Sequence, residues 1–447
     1  MKSEVTVASL EDPKNSKQQW KWTLLASMAN YIDSGSIVAG AASLSLWQSY
    51  FHMSNTALGL LAAFSSNAIS AGIGSLIGGR ICDLFGRKRI YSWDLLIYAF
   101  GMLWIIFAVN AWMLAVGYFI VGLAVGADVP ASWTIIAENA PAKSRGKLSG
   151  MAQVLWNMGP IVCLLLSLAL YPLGILGARL LFAHLFVVAI VTWLLRRGMV
   201  ESVRWQTAVE TATSVQSTAA GTVSKNVSAA NGFRALFTKP HLGALVFLIS
   251  MYGIWNLTAG TSGFFLPYIL ETVGGNSQST SVLMQCLGFL FGVIGTALIF
   301  MPLSDRVNRR VLFGVSALIQ VIGMSLLAIF PLTPVVALLH VFLGGFAGGF
   351  GQQAFFQLWS SELFPTMIRS TAQGLAFAVI RIGLGIWSLF VPVLTATGFT
   401  TLAWILTGFL FVSGLIGLIW APQTRGKSLE EIEAERTGEQ IVLPKKD

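Results

Sequence analysis

The sequence predicts an all-α membrane protein in which twelve transmembrane helices form two pseudo-symmetric six-helix bundles around a central cavity. Three observations carry that expectation. The chain of 447 residues is 55% hydrophobic and only 11% charged, with a mean hydropathy of +0.73, a balance that a water-soluble core of this size does not show. Continuous apolar stretches recur twelve times, each long enough at about 1.5 Å per residue to span about 30 Å of hydrocarbon. Charged motifs of the first half return in the second, roughly 223 residues later. A β-barrel is not expected, because its strands would be short alternating segments rather than continuous apolar runs.

In order, the spans fall near 22–47, 56–79, 91–110, 112–137, 148–171 and 176–195, then 242–269, 281–302, 311–330, 334–360, 371–396 and 400–420. Span 1 carries one charge, Asp33, near its middle. Span 4 holds Gly122 and Gly126, a small-xxx-small pair suited to close packing, and Pro130, whose missing N–H frees a carbonyl and kinks the helix. Between spans 6 and 7, residues 206–232 are rich in Ser, Thr and Ala without an apolar period, and read as a mobile linker. The expected organisation is therefore an N-terminal arm (1–21), a first bundle (22–200), a linker (201–233), a second bundle (234–421) and a tail (422–447).

An even number of spans places both termini on one side. All of the 28 Lys and Arg residues except Arg179 and Arg381 fall on that side, so the positive-inside bias puts both ends in the cytoplasm of a multi-pass protein, expected in a bacterial inner membrane. This sorting accounts for the net charge of +9, and no nucleic-acid partner is expected. The polar arm lacks the features of a cleavable signal peptide. Cys82, Cys163 and Cys286 are scattered over different spans and suggest neither a disulfide nor a metal site. No metal-spaced His or Cys set, nucleophile elbow or phosphate loop is present, so neither an enzyme nor a cofactor is expected.

The repeat pairs GGRICDLFGRKR (78–89) with MPLSDRVNRR (301–310), and the stretch from Glu138 to Gly146 with ELFPTMIRS (362–370). Each copy has six spans, so both insert with the same orientation about an axis along the membrane normal, with a cavity where they meet. Asp33, Asp128, Asn157 and Arg381 all lie about 15 to 20 Å deep in their spans. The repeat carries Asp33 to Asn256, Asp128 to Gln352 and Asn157 to Arg381. A charge at the bilayer centre costs about 2.5 to 3.5 kcal/mol on insertion scales, so these side chains should face the cavity or one another. Asp33 reads as a proton-carrying carboxylate or as a partner for backbone opened by Ser34 and Gly35. Arg381 reads as a solute ligand or as the neutraliser of Asp128 or Asp33. Asn157, Asn256 and Gln352 are solute ligands or interhelical glue. Trp156, Trp255, Phe355, Phe356 and Trp387 suit packing or solute stacking, and His184 and His340 are given no role.

The pattern Gly79, Asp83, Gly86, Arg87, Lys88 after span 2, Glu138, Pro141, Arg145, Gly146 after span 4, its copy after span 10, and PQTRGKSLEEIE (422–433) resembles the major facilitator superfamily, close to its sugar porters. The resemblance covers nearly the whole chain. It implies a gate at the cytoplasmic end built from Asp83, Arg87, Glu138, Arg145, Asp305, Glu362 and Arg369, pairing across helix ends. Asp33 matches the span-1 aspartate that sugar porters use for proton coupling, and Gln153 their span-5 sugar-binding glutamine. Three other porter positions differ here: a span-4 arginine is Tyr118, a span-7 double glutamine is Ile249 and Ser250, and a span-10 tryptophan is Gln357. VGADVP (125–130) is similar to the span-4 motif of phosphate symporters, and Arg381 to the span-11 arginine of organic anion transporters.

The expected activity is proton-coupled symport by two rocking halves, with Asp33 and Asp128 handling the proton and Arg381, Gln153, Asn157, Asn256, Gln352, Gln357 and Trp156 binding the solute. A fixed cation suits a carboxylate or phosphate, so a sugar acid or similar small organic anion is favoured over a neutral sugar or polyol. The partners are that small molecule, a proton and the bilayer, and the working unit is a monomer.

Overall fold

The computed structural model describes residues 16–437 apart from 55–56, 58–59, 62, 65–67, 220–232 and 240. Spans 1 to 6 are α1 (Ser16–Tyr50), α2 (Ile69–Phe85), α3 (Arg87–Ile106), α4 (Ala111–Asn139), α5 (Arg145–Leu170) and α6 (Ile175–Arg196). A shorter helix, α7 (Val203–Ala219), precedes α8 (His241–Thr272), α9 (Gln278–Gly295), α10 (Arg309–Ile329), α11 (Pro334–Gly348), α12 (Gln352–Glu362), α13 (Arg369–Ser388) and α14 (Val391–Trp420), which form spans 7 to 12. Helix α15 (Leu429–Thr437) lies in the tail. Among the described residues, 10 helical stretches are long and apolar enough to cross a membrane, and α1 and α2 complete the twelve.

Polar loop residues start several of these helices. The Asn110 side chain accepts from Met113 N ahead of α4, Ser277 from Thr280 N ahead of α9, and Thr333 from Val336 N ahead of α11, with Pro334 at the first helical position where its missing N–H is harmless. Helix α14 is kinked at Gly398, whose backbone leaves helical geometry, and two further departures from regular helix occur in the second bundle. Span 10 breaks between α11 and α12, where Gly349 presses on α9, and its carbonyl accepts from Thr296 Oγ1 at 2.7 Å. At that level α9 widens into a π turn over Thr296–Phe300. The stretch expected as a mobile linker begins helically, as α7; its residues 220–232 lie outside the described residues.

Within the first bundle α1 packs on α5, and α3 on α4 and α6; within the second, α10 packs on α14 and α9 on α11. The bundles meet along two helix pairs, α2 with α13 and α5 with α9, which the repeat exchanges. The first pair approaches closely because both surfaces are glycine: a Cβ at Gly79 would lie 2.2 Å from the Ser370 carbonyl, and one at Gly374 2.2 Å from the Ser75 carbonyl. Large apolar side chains such as Trp93, Phe107, Trp112 and Leu298 remain exposed around the outside, as a lipid-facing surface requires.

Candidate functional site

Asp33 and Arg381 meet where the halves join. Asp33 is buried on α1, and its Oδ2 lies 3.3 Å from Arg381 Nη2 on α13. The guanidinium also covers the Phe377 ring at 4.5 Å. Ser34 and Ser36, beside Asp33, turn their hydroxyls to the Asn30 and Ile32 carbonyls of their own helix. Asp33 is thus left for the interhelical pair, which is the neutralising arrangement expected as one of the two readings of Arg381. Asp33 Oδ1 has no hydrogen-bond partner among the described residues.

Beside this pair lies a cavity of about 170 Å³, walled by Gln153, Trp156 and Asn157 from α5, Trp255 and Thr258 from α8, and Gln285, Gln320 and His340 opposite. A smaller compartment of about 40 Å³ continues from it to Arg381, Asn256, Tyr252 and Gln353. The walls set amides, hydroxyls and aromatic rings in a lining that is mostly apolar, with Leu266, Met324, Val341 and Leu410, and their polar groups are largely held in place. Asn157 Nδ2 donates to the Gln153 carbonyl at 2.9 Å, Trp255 Nε1 to Gln320 Oε1 at 2.8 Å, and Tyr252 bonds Gln353. His340 Nδ1 donates to the Gly323 carbonyl at 2.9 Å, which in a neutral ring leaves Nε2 as an acceptor. Asn256 Nδ2 has no partner among the described residues.

Of the residues expected here, Gln153, Trp156, Asn157, Asn256 and Arg381 line the cavity. Gln357 does not, but its Nε2 reaches Gln153 Oε1 at 3.4 Å. Gln352 also sits behind the wall, accepting from Gln320 Nε2 at 2.7 Å, while its neighbour Gln353 lines the smaller compartment. The expectation that Asp128 converges with Asp33 and Arg381 is corrected. Asp128 binds Arg196 Nη1 through both oxygens at 3.1 and 2.9 Å, inside the first bundle. The reason is reach: Arg196 ends α6, and its long side chain folds back to the nearest buried carboxylate. Trp255 is a wall residue, whereas Phe355 and Phe356 are wholly buried packing.

The basic end of the molecule is closed by two charge clusters related by the repeat. Glu138 accepts from Arg87 Nη2 at 2.7 Å and Nε at 3.1 Å, and across the halves from Arg369 Nη1 at 2.7 Å. Glu362 accepts from Arg309 at 2.8 Å and, across the halves, from Arg145 at 3.1 Å. Each half also caps a helix of the other. Asp83 accepts from Ser370 N at 3.2 Å and Thr371 N at 2.6 Å at the start of α13, and Asp305 from Gly146 N at 3.0 Å and Lys147 N at 2.9 Å at the start of α5. A carboxylate at a helix N-terminus satisfies open N–H groups and complements the macrodipole. Arg309, absent from the expected gate, is the repeat copy of Arg87, and the offset alone could have identified it. No group of His, Cys, Asp and Glu suited to a metal occurs among the described residues.

Residues 22–435 match the family described as Sugar (and other) transporter. The chain is 48% identical over 423 residues to the minor myo-inositol transporter IolF of Bacillus subtilis (strain 168), covering 94% of each chain. It is 26% identical over 396 residues to the glucose transporter GlcP of Staphylococcus epidermidis, covering 84% of this chain and 88% of that one. Among solved structures it superposes with a TM-score of 0.79 and 21% identity on the major facilitator superfamily proton:xylose symporter XylE bound to 6-bromo-6-deoxy-D-glucose, covering 94% of this chain and 100% of that chain.

Proposed function

The chain belongs to the sugar (and other) transporter family and is a multi-pass membrane transporter, not an enzyme; from that premise we propose that it carries a neutral polyol of the inositol type, with a proton, by alternating access. One observation favours a neutral solute over the sugar acid expected from sequence. Arg381, the fixed cation on which the anion reading rested, is already paired with Asp33, and the larger compartment is lined, among the described residues, by amides, hydroxyls, a histidine and aromatic rings within a mostly apolar wall that holds no Lys or Arg. A hydroxylated ring suits such a surface, since each hydroxyl both donates and accepts and the apolar ring faces suit Trp156 and Trp255. The 48% identity to a myo-inositol transporter supports the same class. Gln153, Asn157, Asn256 and Trp156 are the proposed solute contacts, with Gln357 and Gln352 positioning that wall.

The charge distribution supports termini in the cytoplasm of a bacterial inner membrane. In this reading the basic end is the cytoplasmic gate, held shut by Glu138 and Glu362 while the cavity serves the opposite side. Proton coupling, the activity named for XylE, would act through an intramembrane acid, Asp33 or Asp128. The test is uptake by the purified chain in liposomes. An inward pH gradient should drive accumulation of labelled myo-inositol, competed by other polyols and not by glucuronate. Uptake of glucuronate in preference to polyols would restore the anion reading.

A further inference from the structure

A further buried charge cluster lies inside the first bundle, away from the cavity. Arg196 binds Asp128 through both carboxylate oxygens, as described above, and its Nη1 is also 3.5 Å from Asp94 Oδ2 on α3. The other guanidinium N–H groups are spent on α1, at the carbonyls of Leu25 (Nε, 3.0 Å) and Ala26 (Nη2, 3.0 Å). Ser132 Oγ donates to Asp128 Oδ1 at 2.7 Å. Asp94 Oδ2 is buried and accepts no hydrogen bond among the described residues. The charged groups facing Asp94 are Asp128 from α4 and Arg196 from α6; Tyr91 of its own helix lies with its ring 4.5 Å from the Arg196 guanidinium, and Cys82 of α2 neighbours Tyr91.

Arg196 is the one cation in this set, so with both carboxylates ionised a negative charge would be left uncompensated. Buried groups in that position neutralise instead. We propose that Asp94 carries a proton here, as a carboxylic acid beside the Asp128–Arg196 ion pair, forming a proton site separate from the Asp33–Arg381 pair. A hydronium ion at the basic end gives up the proton, its O–H bond breaking as an O–H bond forms on Asp94, and a water molecule is left. Asp94 lies about 10 Å along α3 from its first residue, and Arg196 is the last residue of α6. Helix α1 ties this site to the halves' interface, because it is held at Leu25 and Ala26 by Arg196 and at Asp33 by Arg381. Resting on the symport reading above, this is where the driving proton is carried, and Asp33 instead bridges the halves.

The test uses the full chain in liposomes with two readouts. Infrared spectra at neutral pH should contain the carbonyl stretch of a buried protonated carboxylic acid, which Asp94→Asn removes, Asp94→Glu restores and Asp33→Asn leaves in place. Accumulation of myo-inositol driven by a pH gradient should fall at least tenfold more in Asp94→Asn than solute exchange at equal pH. A band that survives Asp94→Asn would overturn the proton site. A lost band with undiminished accumulation would overturn its role in coupling. Absence of pH-driven accumulation in the unaltered chain would count against symport itself, while the infrared band would still decide the site.

Discussion

Replacing Glu138 with Gln should unlatch the basic end. In the closed state this carboxylate receives two hydrogen bonds from Arg87 and one, at 2.7 Å, from Arg369 of the other half, with all three side chains almost wholly buried. Glutamine keeps the shape but removes the charge, leaving two buried guanidinium groups facing an amide. Breaking a buried pair by neutralising one partner costs about 3 to 5 kcal/mol. Opening releases Arg369 to water, so most of that cost falls on the closed state. Taking about 3 kcal/mol, the balance between closed and open ends moves roughly 150-fold toward open. Glu362→Gln should act equally at the repeat copy, and the double variant should combine both shifts. Spin labels at Lys88→Cys and Arg306→Cys, exposed positions on opposite halves, report the separation by pulsed electron resonance; the native cysteines are buried. The variants should gain a population of longer distances. An unchanged distribution in the double variant would refute the latch.

The glycine contact between α2 and α13 should be equally sensitive. Gly374→Val places new carbons against the Ser75 carbonyl, where even a Cβ would be 2.2 Å away, so the same labels should show the closed state depleted while protein yield is kept. Arg381→Gln should leave Asp33 as an unpaired buried carboxylate and slow myo-inositol exchange at least tenfold, measured in liposomes, without creating glucuronate uptake. Tail docking should weaken in acid. Burial opposes the charge on Glu430, but Arg204 Nε at 2.9 Å outweighs it and holds the carboxyl below its ordinary range. A depressed pKa stabilises the docked tail at neutral pH and loses that contribution as pH falls through the folded value. Amide exchange of residues 429–437 should therefore rise as pH drops through the carboxylate range, after correction for intrinsic rates.

The spans and the repeat were legible because lipid imposes long apolar helices and duplication leaves charged motifs at a fixed offset. The same offset located both charge clusters at the basic end, since Asp83 and Asp305, or Glu138 and Glu362, make the same kinds of contact in each half. It also brought Asn256, Asn157 and Arg381 to one cavity. What the sequence did not disclose was pairing. Depth alone could not tell that Asp128 turns to Arg196, because an arginine at a helix end reads as a topological charge although its side chain can reach back several ångströms. Asp94, near the start of span 3, was hidden for the same reason. Gln320, Gln285, Tyr252 and His340 are neutral, and only packing reveals which of them face the cavity. Gln352 and Gln353 differ by one residue, about 100° of helix, and the break between α11 and α12 decides which is presented.

The account depends most on a site for a neutral polyhydroxylated ring beside an intact Asp33–Arg381 pair. Equilibrium binding to the purified chain, followed by fluorescence of the wall residues Trp156 and Trp255, tests it most directly. Saturable quenching by myo-inositol, lost in Asn256→Leu and absent with glucuronate, is the result expected. Saturable binding of glucuronate that disappears in Arg381→Gln, with no response to myo-inositol, would contradict it.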